Sequence, residues 1–243
     1  MLALFYPYGV ILQALALVHF MQRRPGGYWL WIILFGGGVG AFAYLVVEVM
    51  PDAVLLRGTF NAFPRRKRIR QLEAEVLENP SVGNFEELGD LLLEDGQYAR
   101  ARECFDRAIT PRNDDADPFY RRALAAIALS DWPAAIADLD RVSEIDPRYD
   151  YHRAAGLRAH AMAQTGREEE ALALFAEATA VSTLSETQYN YACFLAAKGR
   201  TAEAREWAQR ILAKKLTLPA FARRRERPWF RKASALVQKL PKS

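Results

Sequence analysis

The sequence predicts an all-α protein: a two-helix transmembrane hairpin, then an α-solenoid of helix–turn–helix repeats, then a C-terminal capping helix. Three observations carry that expectation. The chain opens with two long stretches free of Asp, Glu, Lys and Arg, separated by Arg23-Arg24. A turn motif later recurs with its alanines 34, 36 and 33 residues apart. Between the recurrences lie amphipathic stretches of about a dozen residues and no β-branched run of strand length.

With 243 residues, 51% hydrophobic and 26% charged, the chain is long enough for one or two domains and is neither disordered nor fibrous. Its net charge of +4 conceals a segregation. Residues 1–70 hold eight Lys/Arg and two Asp/Glu, residues 71–212 hold 15 and 26, and residues 213–243 hold ten and one. An acidic middle between basic ends is not the pattern of a nucleic-acid-binding domain, which carries its basic residues on the folded body. Two cysteines exclude a disulfide framework, and three histidines leave little for a metal site.

Residues 1–50 form the hairpin domain. Met1 to Gln22 and Pro25 to Val47 each reach the roughly 20 apolar residues a bilayer-spanning helix needs. Arg23-Arg24-Pro25-Gly26-Gly27 between them suits a tight surface turn. Tyr6, Tyr8, Tyr28, Trp29 and Trp31 fall near the interfaces, where amphipathic rings are favoured. A cleaved signal peptide would carry a basic residue before its apolar core, and none precedes Arg23. Arg57, Arg65, Arg66, Lys67, Arg68 and Arg70 outweigh the two turn arginines, so both termini are expected in the cytoplasm. Glu48 reads as an interfacial carboxylate at the end of the second helix. Gly36 and Gly40 have the small-xxx-small spacing that lets helix backbones approach, either within the hairpin or across a dimer.

His19, Arg23-Arg24, the stretch from Tyr28 to Phe35, Gly40 and Tyr44 give this hairpin a resemblance to the N-terminal region of phospholipase D-like membrane enzymes such as cardiolipin synthases. The resemblance implies a membrane anchor over about 50 residues. It brings no catalysis, because the paired His-x-Lys motifs are absent: His152 precedes Arg153-Ala154 and His160 precedes Ala161-Met162.

Residues 51–70 form a basic juxtamembrane linker, from Pro64 to Arg70 a run that serves as topology signal and as a contact for anionic lipid. Residues 71–212 hold the repeats. Asp95-Gly96-Gln97-Tyr98-Ala99-Arg100-Ala101 is echoed around Ala135, Ala171 and Ala204. Stacked units of this length bury a continuous core that one unit cannot bury alone.

The repeat is identified as similar to the tetratricopeptide repeat. The first copy reads Phe85-x2-Leu88-Gly89-x2-Leu92, then Ala101-x3-Phe105 and Ala108. The second has Phe119, Ala123, Ala135 and Leu139; the third Ala159, Met162, Ala171, Phe175 and Ala178; the fourth Tyr191, Ala192, Leu195, Ala204 and Ala208. Gly89, Ala123, Ala159 and Ala192 are small where the two helices of a repeat cross. Arg122 and Arg158 stand where leucine is typical, and Ser130 stands for the turn glycine. Residues 66–78 and, within the basic segment 213–243, a helix from Pro228 to Leu240 are expected to cover the two ends.

Chemistry-bearing motifs are absent: no phosphate loop, Cys-x-x-Cys, His-Glu-x-x-His or Gly-x-Ser-x-Gly occurs. No cofactor, metal site or enzymatic activity is therefore expected. Cys104 and Cys193, far apart, read as isolated buried thiols in a reducing compartment. The family resemblance implies a binding groove lined by Glu86, Asp90, Tyr120, Leu124, His160, Tyr189 and Cys193. The carboxylate clamp of chaperone-binding members has Lys and Asn where this chain has Glu86 and Asp90. A basic or apolar-aromatic partner segment is expected instead, unless these are ordinary solvated positions. The function expected is a scaffold or adaptor anchored in a bacterial inner membrane, with an accessory subunit of a lipid-modifying or envelope-building enzyme as the other reading. Bacterial origin rests only on the Ala/Arg-rich composition and this architecture.

Overall fold

A computed structural model describes residues 6–23, 28–45, 54–110 and 115–241. Every regular element among them is helical. The chain divides into two compact units, Met1–Arg68 and Ile69–Ser243.

The first unit contains α1 (Tyr6–Arg23), α2 (Tyr28–Phe35) and α3 (Gly37–Tyr44). Ala16, Trp29, Ile33, Ala41 and Tyr44 are its buried centre. Two polar contacts tie the helices together: Gln13 Nε2 donates to the Ile33 carbonyl at 2.8 Å, and His19 Nδ1 lies 2.9 Å from Tyr44 Oη. Its outer surface exposes Val10, Ile11, Leu15, Val18, Phe35 and Val39.

The expected two-pass membrane hairpin, with its inner-membrane location and cytoplasmic termini, is corrected here. Among the described residues no helix is long and apolar enough to cross a membrane. The 18-residue α1 contains Gln13, His19, Gln22 and Arg23, which dilute its apolar character. The second stretch breaks where Gly37 takes φ +55°. It leaves two helices of 8 residues each. Each rises about 12 Å against a hydrocarbon core of about 30 Å. Gly36 and Gly40 line this bend, since a Cβ on them would lie 2.5 and 2.0 Å from the Ile32 carbonyl oxygen. The approach of α1 to α3 runs through Gly9 and Gly38, a Cβ on Gly38 lying 3.1 Å from Gly9 Cα. The turn 24–27 and Glu48 lie outside the described residues.

The helix α4 (Val54–Glu78) is longer than the expected covering helix 66–78. Its Ile69 and Leu72 are buried against Leu88, Leu92, Ala101 and Phe105. Four helix pairs follow: α5 (Val82–Glu94) with α6 (Tyr98–Ala108), α7 (Asp117–Ala128) with α8 (Trp132–Ile145), α9 (Tyr149–Gln164) with α10 (Glu168–Val181), and α11 (Ser185–Ala197) with α12 (Thr201–Thr217). The final helix, α13 (Ala220–Lys239), packs on α11 and α12. It starts eight residues before Pro228, which stands inside the helix and removes one backbone donor there.

Within every pair the crossing residue and the packing alanine are twelve apart: Gly89 and Ala101, Ala123 and Ala135, Ala159 and Ala171, Ala192 and Ala204. All eight are buried, as are Leu88, Phe105, Ala108, Phe175 and Ala178. The turn between paired helices is also uniform. Gly96, Ser130, Gly166 and Gly199 hold φ of 79, 60, 80 and 75°, a left-handed conformation that is free for glycine and costs serine about 1 kcal/mol.

Arg122 and Arg158, in place of leucine, do not sit as unpaired charges. Arg122 reaches Asp138 through Nε at 2.9 Å and Nη2 at 2.6 Å, and Asp106 through Nη1 at 2.7 Å. It thereby ties α7 to both α8 and α6. Asp138 is buried, and the paired guanidinium offsets the cost of desolvating it. Arg158 forms an ion pair with Asp140.

These packing constraints predict two opposite effects on thermal unfolding. Ser130→Gly should raise stability by about 1 kcal/mol, since only strain is removed. Gly156→Ala should lower it, because the added Cβ would lie 2.3 Å from Thr187 Oγ1 and 2.7 Å from its Cγ2. The overpacking cost of about 1–3 kcal/mol outweighs the helix-propensity gain. Differential scanning calorimetry of both variants checks the signs, and the same sign for both would show the register to be misassigned.

Candidate functional site

The site residues expected from sequence occupy one stripe on the first helix of each pair. Relative to the crossing residue they stand three before and one after: Glu86 and Asp90 on α5, Tyr120 and Leu124 on α7, His160 on α9, Tyr189 and Cys193 on α11; the matching position before the crossing on α9, which the sequence reading did not name, is Gly156. A third position, six before the crossing, completes the spacing i, i+3, i+7 of a single helix face. It holds Gly83, Asp117, Arg153 and Glu186.

That third position carries a chain of polar contacts along the array. Arg121 on α7 pairs with Asp90 of α5 at 3.5 Å and with Asp117 at 3.3 Å. Asp117 accepts from the Tyr149 hydroxyl. The Tyr149 ring lies 4.9 Å from that of Tyr120, whose hydroxyl donates to Asp150 at 2.9 Å. Arg153 donates to the Tyr120 hydroxyl at 2.9 Å and to Glu186 of α11 at 2.5 Å. Contacts thus run from α5 to α11 without a break. The sequence reading omitted Asp117, Arg121, Tyr149, Asp150, Arg153 and Glu186. The i,i+4 pair Asp117/Arg121 and the opposite charges of the equivalent positions Arg153 and Glu186 were the available signals.

Asp150, Tyr151 and His152 have φ of 47, 55 and 65°, a left-handed turn ahead of the right-handed part of α9. Ala135 to Ala159 is 24 residues, where the flanking connections, Ala101 to Ala123 and Ala171 to Ala192, are 22 and 21. The left-handed turn takes up that excess. It also removes His152 from the helical phase of His160, and among the described residues no metal-holding cluster of His, Cys, Asp or Glu occurs.

The electrostatics differ along the stripe. Burial, then Asp115, Asp117 and Asp90, push the Glu86 carboxyl above its ordinary range. Burial also raises Asp90, against the opposing pull of Arg121. Glu86 has no hydrogen-bond or ion-pair partner among the described residues. Burial raises the Tyr120 and Tyr149 hydroxyls as well, and the carboxylates they touch hold their protons in place. His160 packs edge-on against Trp132 at 5.6 Å, and desolvation lowers its pKa.

The fourth repeat's share of the stripe is partly overlaid by α13. Tyr189 lies 5.8 Å from Trp229 of α13, with Lys232 Nζ 5.7 Å above its ring. Burial and the Cys193 thiol push the Tyr189 hydroxyl up to about 12. Cys193 and Cys104 are free thiols, both raised by burial. At the third repeat Gly156 meets Thr187 of α11 too closely to admit a side chain. On the face of α5 and α7, Glu86, Asp90, Arg121 and Leu124 are each half-buried and carry no such aromatic overlay among the described residues.

Comparison with known proteins agrees with this architecture. The family model described as "Tetratricopeptide repeat" matches residues 86–147 and 120–183. DnaJ homolog subfamily C member 3 of Rattus norvegicus is 37% identical over 98 residues, 40% of this chain and 19% of that protein. Its Homo sapiens counterpart is 34% identical over the same length. The chain thus spans about a fifth of the curated relatives it matches. Among solved structures, a thermophilic TPR protein of Thermus thermophilus is 21% identical and superposes with a TM-score of 0.53, over 74% of this chain and 94% of that one. YrrB, described as a TPR protein with an unusual peptide-binding site, is 18% identical with a TM-score of 0.52, over 62% and 77%. MamA is 17% identical with a TM-score of 0.55, over 64% and 85%. At these identities the structures share the fold. The family model thus covers residues 86–183, a stretch similar to tetratricopeptide repeats, and the solved structures share the fold of the helix pairs around it.

Proposed function

We propose that the chain is a binding scaffold whose first two repeats hold a basic segment of a protein partner, with an apolar or aromatic residue beside the charges. One observation carries this reading. Glu86 is a half-buried carboxylate without a cation among the described residues, and Asp90, Asp115 and Asp117 repel its charge. A guanidinium or ammonium brought by a partner would relieve that repulsion and form a charge-assisted hydrogen bond. Leu124, half-buried one turn beyond Tyr120 on α7, adds apolar surface to the second repeat's share of the stripe. Arg121 is already engaged by Asp90 and Asp117 and leaves the face net negative. The YrrB description, with its peptide-binding site, belongs to a protein of the same fold and favours a peptide-like ligand here.

Two measurements test the reading. The Glu86 pKa is raised in the folded chain, so the native state binds more protons than the unfolded one and stability falls as pH rises through that range. Glu86→Gln should therefore raise the melting temperature at pH 7, and the gain should vanish below the ordinary carboxylate value of 4.5. An equal gain at both pH values would remove the electrostatic argument.

The second measurement is direct binding by fluorescence anisotropy. An Arg- and Phe-containing labelled peptide should bind the full chain more tightly than an Asp/Glu peptide of equal length. Its affinity should weaken as salt rises and screening shortens to about 8 Å at 0.15 M. Changing both Glu86 and Asp90 to Lys should cost at least about tenfold, or about 1.4 kcal/mol. Equal binding of the two peptides, or no loss in the variant with its melting temperature retained, would refute the proposal.

A further inference from the structure

The N-terminal half of α13 presents a face that nothing else in its own unit covers. Phe221 and Leu216, just before it, are 77% and 90% exposed. Arg223, Arg224 and Arg225 are exposed, and their guanidinium groups have no carboxylate partner among the described residues. Phe221, Arg224 and Arg225 stand at i, i+3 and i+4 and share one side of the helix. Phe230, nine residues after Phe221, is half a turn out of phase at 100° per residue. Phe230 and Ala233 are the residues buried against Ala208 and Ile211. The helix is thus anchored by one side while the other carries an aromatic ring beside two cations, Arg224 and Arg225.

We infer that this face docks into the α5/α7 face of a second copy of the chain, joining copies head to tail; the inference rests on the groove reading above and names its partner. Charge complementarity selects this occupant. Residues 213–243 carry ten basic and one acidic residue, and the repeats before them carry 26 acidic and 15 basic. The combination the α5/α7 face asks for, cations beside an apolar group, is the combination α13 displays. Within one molecule the two cannot meet while the array is folded. The helix α13 packs on α11 and α12, whereas α5 packs on α6 and α7 at the other end. A contact between different patches of identical chains is heterologous, so it propagates rather than closing into a two-fold dimer.

Sedimentation equilibrium of the full chain tests this. The weight-average mass should rise with protein concentration at low salt and fall back towards the monomer as salt is added. Two neutralised variants then define the contact: Arg223, Arg224 and Arg225 all changed to Gln in one, Glu86→Gln with Asp90→Asn in the other. Each alone should be monomeric. Mixed in equal amounts they should give a one-to-one dimer and nothing larger, because only one competent tail and one competent groove remain. A mixture that stays monomeric, or a wild-type mass independent of concentration, overturns the inference. Association that persists in either variant alone also overturns it, since the contact then lies elsewhere, such as on the apolar outer surface of α1–α3. The groove reading fails separately: a wild-type chain that stays monomeric yet binds the Arg/Phe peptide keeps that reading and loses only the head-to-tail contact.

Discussion

The close crossing of the two helices in each repeat is the constraint from which the rest of the array follows. At Gly89 a single added carbon would lie 2.8 Å from the Phe105 ring, so the backbone of α5 rests almost directly on the side chains of α6. The equivalent Ala123, Ala159 and Ala192 are fully buried. Helices this near each other admit only a short, sharply reversed connection, and a left-handed residue in each turn supplies it. Once crossing and turn are both set, twelve residues must separate the small residue from its partner alanine. Every repeat therefore has the same internal geometry, whatever happens between repeats.

Freedom is left only in the connections from one pair to the next, and there the chain varies. The longest connection ends in the left-handed turn at Asp150–His152, a conformation disfavoured for all three of its residues. Something must hold it, and the polar chain does. Asp150 accepts from Tyr120 and pairs with Arg153, and Arg153 is itself anchored on Glu186. The same contacts that pin the turn also bring the first helices of successive repeats together. Hydrogen-bonded charges thus add to the apolar packing between repeats, and Arg122 does the same by joining Asp106 of α6 to Asp138 of α8.

Features set by residue size and period were legible in the sequence, because burial against a close neighbour leaves little choice of side chain. The alanine spacing, the turn positions and the identity of the repeat all belong to this class. Features set by a backbone dihedral were not. An uncharged stretch from Pro25 to Val47 reads as one long helix by hydropathy, yet Gly37 at φ +55° divides it. Hydropathy sums over residues and is blind to where the chain bends. The proline at 228 suited a helix start, but Pro219 occupies that role and α13 begins at Ala220. The polar chain was missed for a third reason. Three of its members stand six residues before the crossing, and two positions of a three-position stripe do not reveal that Asp117, Arg153 and Glu186 are equivalent.

The uneven fate of that stripe is what gives the array a direction. Four equivalent helix faces would offer four similar surfaces, but three separate local events remove that equivalence. Arg153 and Glu186 neutralise each other between the third and fourth repeats. Gly156 brings α11 against α9 so closely that no side chain fits between them. Trp229 and Lys232 then lie over Tyr189. Within the stripe, charge is satisfied from α9 onward, so among the described residues its excess negative charge lies beside α5 and α7. The helix that covers the last repeat is at the same time strongly basic, and on its outer side Arg224 and Arg225 have no carboxylate partner among the described residues. Covering one end of the solenoid thus creates, on the reverse of the same helix, a surface opposite in charge to the face left open at the other end.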